Sequence, residues 1–140
     1  MAFKVPASLR WLLTVVLIAA IVALSVTPGQ AREDDSAFSW LIAITPALLQ
    51  KTLHVVCYAL LAGLWYWTLE GAGGRGRGAA IVLLACIGLG AALEWAQTGI
   101  PGRFGSLTDI LLNAAGSLAG LAAALFVPWD GFSRGCARAA

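Results

Sequence analysis

Four long apolar stretches, separated by short connections, dominate the hydrophobic pattern of the chain. They cover about residues 9–27, 46–69, 79–98 and 107–127. Each is close to the roughly 20 residues that a helix needs to cross a bilayer. Backbone amides inside lipid must be hydrogen-bonded within their own segment, so stretches of this length are expected to be helical. The pattern predicts an all-α integral membrane protein, a four-helix bundle that forms one domain over residues 1–140.

Short sequence segments between the predicted helices indicate how the helices are connected. The segment "SWLIAIT" at 39–45 is too short to span a membrane and predicts an interfacial or re-entrant piece that leads into the second helix. "EGAGGRGRGAA" at 70–80 is a glycine-rich link, and "IPGRFG" predicts a tight turn before the fourth helix. Thr45-Pro46 is typical of a helix start, and Ser106-x-x-Asp109 resembles a capping box.

The basic residues predict an orientation. They lie before the first helix, in the glycine-rich link and after the fourth helix, at Lys4, Arg10, Arg75, Arg77, Arg134 and Arg138. The connection at 28–45 instead carries Arg32 beside three acidic residues. Because cytoplasmic loops are enriched in Lys and Arg, both termini are expected to be cytoplasmic.

The first segment has an alternative interpretation as a signal peptide, with "GQA" at 29–31 as a cleavage site. Its apolar core, residues 11–26, is longer than the h-region of such peptides. A retained helix also keeps the charge pattern consistent. The retained first helix is therefore the preferred interpretation.

The composition argues against several other classes of protein. Hydrophobic residues make up 60% of the chain and charged residues 11%, with a mean hydropathy of +0.85, which is far from the composition of a soluble domain. A net charge of +2, without a basic aromatic strip, argues against a nucleic-acid partner. Cys57, Cys86 and Cys136 have no spacing typical of a disulfide framework or a zinc site.

Against this apolar background, polar residues recur at helical spacing near one end of three predicted helices. The second helix carries Lys51, His54 and Tyr58, the third carries Glu94 and Gln97, and the fourth carries Asp109 and Asn113, with Arg103 and Ser106 in the turn between the last two. Exposing a charge to lipid near the bilayer centre costs about 2.5–3.5 kcal/mol even on the lenient insertion scale. We therefore expect these groups to face one another in a pocket toward the extracytoplasmic surface. Gly116 and Gly120, on the face of Asp109 and Asn113, predict a close helix contact.

Each polar residue also has a structural explanation. These are helix capping for Asp109, snorkelling for Lys51, nonspecific phosphate contact for Arg103, interhelical hydrogen bonds for Asn113 and Gln97, packing for Tyr58, and a structural ion pair between His54 and Glu94. One shared pocket accounts for all of them together. It is the simpler interpretation.

Two blocks of sequence resemble the VanZ-like family of small membrane proteins. They are "KTLHVVCYALLAGL" from residue 51 and "EWAQTGIPGRFGSLTDILLNAAGSLAG" from residue 94. The resemblance covers about residues 50–121. One difference is visible, because the family usually has Asp before the lysine of the second helix, whereas this chain has Gln50.

The resemblance implies a four-helix protein of the bacterial cytoplasmic membrane, related to a protein associated with resistance to teicoplanin, a glycopeptide that acts on the cell envelope. It implies no particular reaction. No cofactor is expected. A metal centre is not expected either, because with a single histidine it would need carboxylate-rich ligation.

Three functions fit the residues. The first is a binding site for an anionic lipid or a lipid-linked cell-wall intermediate, in which Lys51 and Arg103 hold phosphate while Tyr58, Gln97 and Asn113 orient the ligand. The second is an intramembrane enzyme acting on lipid phosphoesters, with His54, Glu94 and Asp109 as catalytic groups and Ser106 or Tyr58 as available nucleophiles. The third is a small proton-coupled transporter, which is small for alternating access unless it forms a homo-oligomer, or an assembly subunit.

Overall fold

The computed structural model describes residues 5–30, 37–69 and 74–126, and within these ranges the chain is all helical, without strands. The helices are α1 (Ala7–Val26), α2 (Ala37–Ala43), α3 (Ala47–Thr68), α4 (Arg75–Gln97) and α5 (Leu107–Phe126). All but the seven-residue α2 are long and apolar enough to cross a membrane. The predicted all-α membrane fold with four spanning helices is confirmed. The cytoplasmic location of the termini stays a prediction.

The predicted helix boundaries hold to within two residues for α1, α3 and α5, except that residue 127 lies outside the described residues. The expected start of the third spanning helix at residue 79 is wrong, because α4 already begins at Arg75 in the glycine-rich link. Arg75 donates a hydrogen bond from Nη2 to the Leu125 carbonyl, 2.8 Å away, near the end of α5. A cation is favourable at a helix C-terminus, so this contact stabilises a first turn that hydropathy does not reveal.

The closest helix pair is α3 with α5, and it depends on two glycines. A Cβ atom at Gly116 would overlap the Val55 carbonyl of α3, and one at Gly120 would overlap the Ala59 carbonyl. The two backbones therefore approach more closely than any side chain would allow. Such small-residue contacts are a common means of helix association in lipid, where there is no hydrophobic force between helices.

The core of the bundle lies between α3, α4 and α5, with one residue from α1. Its buried apolar residues include Ile21, Tyr58, Leu61, Ala62, Val82, Cys86 and Leu121. α1 packs on α3 and α4 at the edge of this core, and most of its side chains are exposed. The edge position of α1 makes it one wall of the cavity described below.

Polar contacts fasten the N-terminal part of α1 to the end of α3. The hydroxyls of Thr14 and Thr68 lie 2.9 Å apart and are buried. Arg10 donates a hydrogen bond to the Trp67 carbonyl at 2.9 Å, and its guanidinium lies 5.3 Å from the centre of the Trp67 ring. Sequence reasoning did not find this contact, although two threonines inside apolar stretches were a signal for it.

Candidate functional site

Side chains from α4 and the following loop cap the C-terminal end of α1. Gln97 donates from Nε2 to the Ser25 carbonyl at 3.2 Å. Arg103 donates from Nε to the Thr27 carbonyl at 3.0 Å and from Nη2 to the Leu24 carbonyl at 2.9 Å. The last carbonyls of a helix have no partner within the helix, so these bonds satisfy acceptors that α1 would otherwise leave open. The positive charge of Arg103 also suits the negative end of the helix dipole.

The turn after α1 lies directly against the loop that carries Arg103. The Gly29 N–H donates to the Pro101 carbonyl at 3.1 Å. Gly102 has φ of 71°, and a Cβ at this position would overlap Gln30. The "PGR" of the sequence motif thus has a structural explanation, because each residue contributes to the junction between α1 and α4.

Arg103 remains a cation in this junction. Partial burial lowers the pKa of its guanidinium, and the nearby Glu94 carboxylate acts in the opposite direction. The ordinary pKa of an arginine lies so far above neutral pH that Arg103 stays protonated there. Its N–H groups that do not bind α1 are available to an anion.

A polar cluster, defined as His54, Glu94, Asp109 and Asn113, forms where α3, α4 and α5 meet. His54 Nδ1 lies 2.8 Å from Asn113 Oδ1 and 3.9 Å from Glu94 Oε1. Because an amide oxygen only accepts hydrogen bonds, Nδ1 is the donor in this contact. Glu94 and Asn113 are 2% and 1% exposed, so their polar groups are removed from lipid and water. The geometry brings together one imidazole, one amide and two carboxylates from three helices.

The start of α5 differs from the capping box suggested by the sequence. In such a box the acidic residue at Asp109 would accept the Ser106 N–H. Glu94 of α4 takes that role instead, since its Oε2 accepts the Ser106 N–H at 2.9 Å. Asp109 Oδ1 is buried and accepts no hydrogen bond from the described residues. The local spacing could not reveal that a carboxylate from another helix occupies the capping position.

A half-open cavity of about 110 Å³ lies between α1, α2, α3 and the end of α4. One part of its lining is apolar, and the other part is polar; the polar side chains are Ser25, Thr45, Gln50, His54, Tyr58, Gln97 and Arg103. The Tyr58 hydroxyl is buried and has no hydrogen-bond partner among the described residues. His54 belongs to both the cavity lining and the polar cluster, so it connects the two.

The other residues singled out in the sequence have different positions. Lys51 is exposed and does not line the cavity. Asn113 and Asp109 lie behind His54 and are not part of the cavity lining either. Sequence reasoning did not select Ser25, Thr45 or Gln50, which complete the lining. Thr27-Pro28 ends α1, so the last carbonyls of this helix have no acceptor role within it. This was the sequence signal that hydrogen-bond donors from elsewhere would lie at this end.

A sequence model of the VanZ/LLP1 family matches residues 7–128, which include the cavity and the polar cluster. The chain belongs to the VanZ/LLP1 family. The resemblance noted in the two sequence blocks is thereby confirmed, and this VanZ/LLP1 chain has the character of a multi-pass membrane protein. Comparisons with curated proteins and with solved structures find no match.

Proposed function

We propose that this VanZ/LLP1 protein binds an anionic or lipid-linked intermediate of the cell envelope in the cavity, within the bacterial cytoplasmic membrane. The cavity carries the proposal, because it combines an apolar wall with the cation of Arg103 and with polar groups at one end of spanning helices. A lipid likewise has a charged phosphate joined to apolar carbons, so its phosphate would face Arg103 and its first carbons would face the apolar wall. Lys51, which is exposed, has no part in the proposal.

The size of the cavity limits what part of the ligand it holds. A water occupies about 30 Å³ of liquid, so about 110 Å³ accommodates a few waters or a group of phosphate size. Pockets that enclose a whole drug-sized molecule are several times larger, at roughly 300–1,000 Å³. The cavity is half open, so the rest of the ligand would extend along the apolar surface of the bundle into the bilayer.

Unused hydrogen-bonding capacity supports a polar ligand. The Tyr58 hydroxyl has no partner among the described residues, and a buried polar group without a partner costs about 1–3 kcal/mol. Gln97 and Arg103 keep N–H groups beyond those that bind α1. A phosphate oxygen near these donors would receive charge-assisted hydrogen bonds, the strongest kind available to a side chain.

Cavity filling tests the proposal without removing a charge. We expect Cys57→Phe, in the wall on α3, to reduce occupancy by a polyprenyl phosphate or by phosphatidylglycerol at least about tenfold, because the ring takes the space of the ligand. The measurement is native mass spectrometry of the purified protein titrated with each lipid, with phosphatidylcholine as the zwitterionic reference. Arg103→Ala is a poorer test, because it also releases the end of α1.

The matched control is Val56→Phe, one position away, where the side chain is 46% exposed and outside the cavity. It should bind both lipids as the unmodified protein does. Ser25→Phe fills the cavity from α1 and should also reduce lipid binding. It replaces Cys57→Phe as the test if Cys57→Phe does not fold. Equal lipid binding by both cavity variants and by Val56→Phe would contradict the proposal.

A second candidate function is hydrolysis or transfer of lipid phosphoesters. It is favoured by the position of His54, which lines the cavity while its Nδ1 is held by Asn113. This arrangement fixes the tautomer that leaves Nε2 able to accept a proton.

For this second function, the unmodified protein should release phosphate or a transferred product from radiolabelled membrane lipid, and His54→Ala should lower the rate by about 10²–10⁴-fold. Cys57→Ser is the control for altered packing beside the ring. Turnover that persists in His54→Ala, or its absence from the unmodified protein, removes the enzymatic function and leaves binding alone.

The family resemblance extends the proposal to glycopeptide susceptibility. A protein that sequesters or alters an envelope lipid changes the surface that teicoplanin meets. In this interpretation any resistance is a consequence of lipid binding, so the cavity variants should lose both together.

A further inference from the structure

We propose that His54, Glu94 and Asp109 form a binding site for a divalent transition-metal ion such as Zn²⁺. This inference goes beyond the proposed lipid binding and does not depend on it. The sequence argument against a metal centre noted the single histidine and the need for carboxylate-rich ligation. The fold supplies that carboxylate-rich set.

Geometry is the first support. The three side chains each offer a ligand atom, and these atoms all lie within 4.8 Å of one another. Bonds to Zn²⁺ of about 2.0–2.2 Å place neighbouring ligand atoms roughly 3–3.5 Å apart, which small side-chain rotations reach from here. His54 Nδ1 is the ring nitrogen 3.9 Å from Glu94 Oε1, so metal binding there would move the ring proton to Nε2 and replace the 2.8 Å hydrogen bond to the Asn113 amide oxygen.

Electrostatics is the second support. Glu94 is 2% exposed, and its carboxylate lies close to the carboxylate of Asp109. Two ionised carboxylates side by side in a buried site repel each other unless a proton or a cation lies between them. The nearby guanidinium of Arg103 offsets one of these two negative charges, and it also binds two carbonyls of α1. A divalent cation with a neutral imidazole and two carboxylates gives a site with no net charge, which is the least costly arrangement to bury.

The unused atoms of the cluster are the third support. Asp109 Oδ1 is buried without a hydrogen bond from the described residues, although the start of a helix normally offers N–H donors to an acidic residue. One of those donors, the Ser106 N–H, is taken by Glu94 Oε2 instead. Asp109 Oδ1 is a buried acceptor without a donor in the described part of the chain, and the Asp109 carboxylate lies beside His54 and Glu94, as expected of a ligand.

The ligand types are compatible with Zn²⁺ and with other first-row divalent ions. One imidazole with two carboxylates is a mixed nitrogen and oxygen set, which binds Zn²⁺ more strongly than Mn²⁺ in the general order of affinities. Three protein ligands leave a further position for a water or a ligand oxygen, as in catalytic zinc sites. Because His54 also lines the cavity, an ion bound to its ring would be adjacent to whatever the cavity holds.

Direct metal binding tests the proposal. The full chain, purified in detergent and stripped with a chelator, should bind one equivalent of Zn²⁺ in competition with a chromophoric chelator. Asp109→Asn and Glu94→Gln should each weaken that binding at least about a hundredfold, because each removes a ligand charge. Glu94→Gln keeps an oxygen that can accept the Ser106 N–H, so it is the variant expected to preserve the fold.

Thiols are the main competing ligands, and the control removes them. A variant with Cys57, Cys86 and Cys136 all replaced by serine should still bind one equivalent, and Co²⁺ bound to it should show d–d absorption without a sulfur charge-transfer band. Absence of Zn²⁺ binding at millimolar concentration, or equal binding by the unmodified protein and both carboxylate variants, would overturn the site. Neither result depends on lipid, so failure here is distinguishable from failure of the cavity proposal.

Discussion

Gly120→Ala is expected to separate α3 from α5 and to lower the free energy of unfolding by at least about 3 kcal/mol, at the upper end of the usual cost of overpacking. The added Cβ would overlap the Ala59 carbonyl. A backbone atom cannot rotate away as the end of a side chain can, so the helices must move apart. Because α3 and α5 form the closest pair of the bundle, the displacement would spread to the polar cluster between them.

Unfolding of the purified protein by titration with sodium dodecyl sulfate measures this effect. Gly116→Ala, whose Cβ would overlap the Val55 carbonyl, should behave in the same way. The matched control is Gly88→Ala on α4, where a Cβ meets nothing within 4 Å and the higher helix propensity of alanine should leave stability equal or slightly greater. Equal stability of Gly120→Ala and Gly88→Ala would contradict the close packing described for α3 and α5.

Removal of the Glu94 carboxylate is expected to have the next largest effect. Glu94→Ala should lower the free energy of unfolding by about 2–3 kcal/mol. It removes the carboxylate that accepts the hydrogen bond and leaves the Ser106 N–H unpaired at the start of α5. Glu94→Gln should recover at least half of this loss, since its amide oxygen still accepts the bond. The same detergent titration measures both variants.

Thr98→Val is the control for this pair. The Thr98 side chain is exposed, and within the described part of the chain its hydroxyl bonds to the Trp95 carbonyl of the same turn alone. Its replacement should therefore change stability by no more than about 0.5 kcal/mol. If Glu94→Gln were as unstable as Glu94→Ala, the negative charge of Glu94 and not its acceptor oxygen would be what stabilises the junction. That outcome would refute the prediction made here.

The spanning helices were predictable because lipid imposes a minimum length and an apolar composition on them. The start of α4 was not, because residues 75–78 are too polar and too rich in glycine to register as part of an apolar stretch. The bond from Arg75 to α5, a contact between residues 50 positions apart, supports their helical form. Hydropathy along the chain contains no information about such a partner.

The meeting of His54, Glu94, Asp109 and Asn113 was predictable from helical spacing together with depth. Which further residues of these helices reach the site was not predictable. Lys51 shares a helical face with His54 but lies one turn nearer the start of α3, and the structure leaves it exposed. The rotation and tilt of a helix decide such differences, and they are set by contacts such as those of the glycines on α5, which only the assembled bundle defines.

The way α1 is attached also determines which of its residues can vary. Polar contacts hold it near Arg10 and Thr14 at its beginning and through the carbonyls of its last turn at its end. Between these anchors, Leu12, Val15 and Val16 are roughly half exposed. Exchange of one exposed apolar residue for another at these positions should therefore leave the position of α1 unchanged. Loss of the polar contacts at its ends should instead release one wall of the cavity.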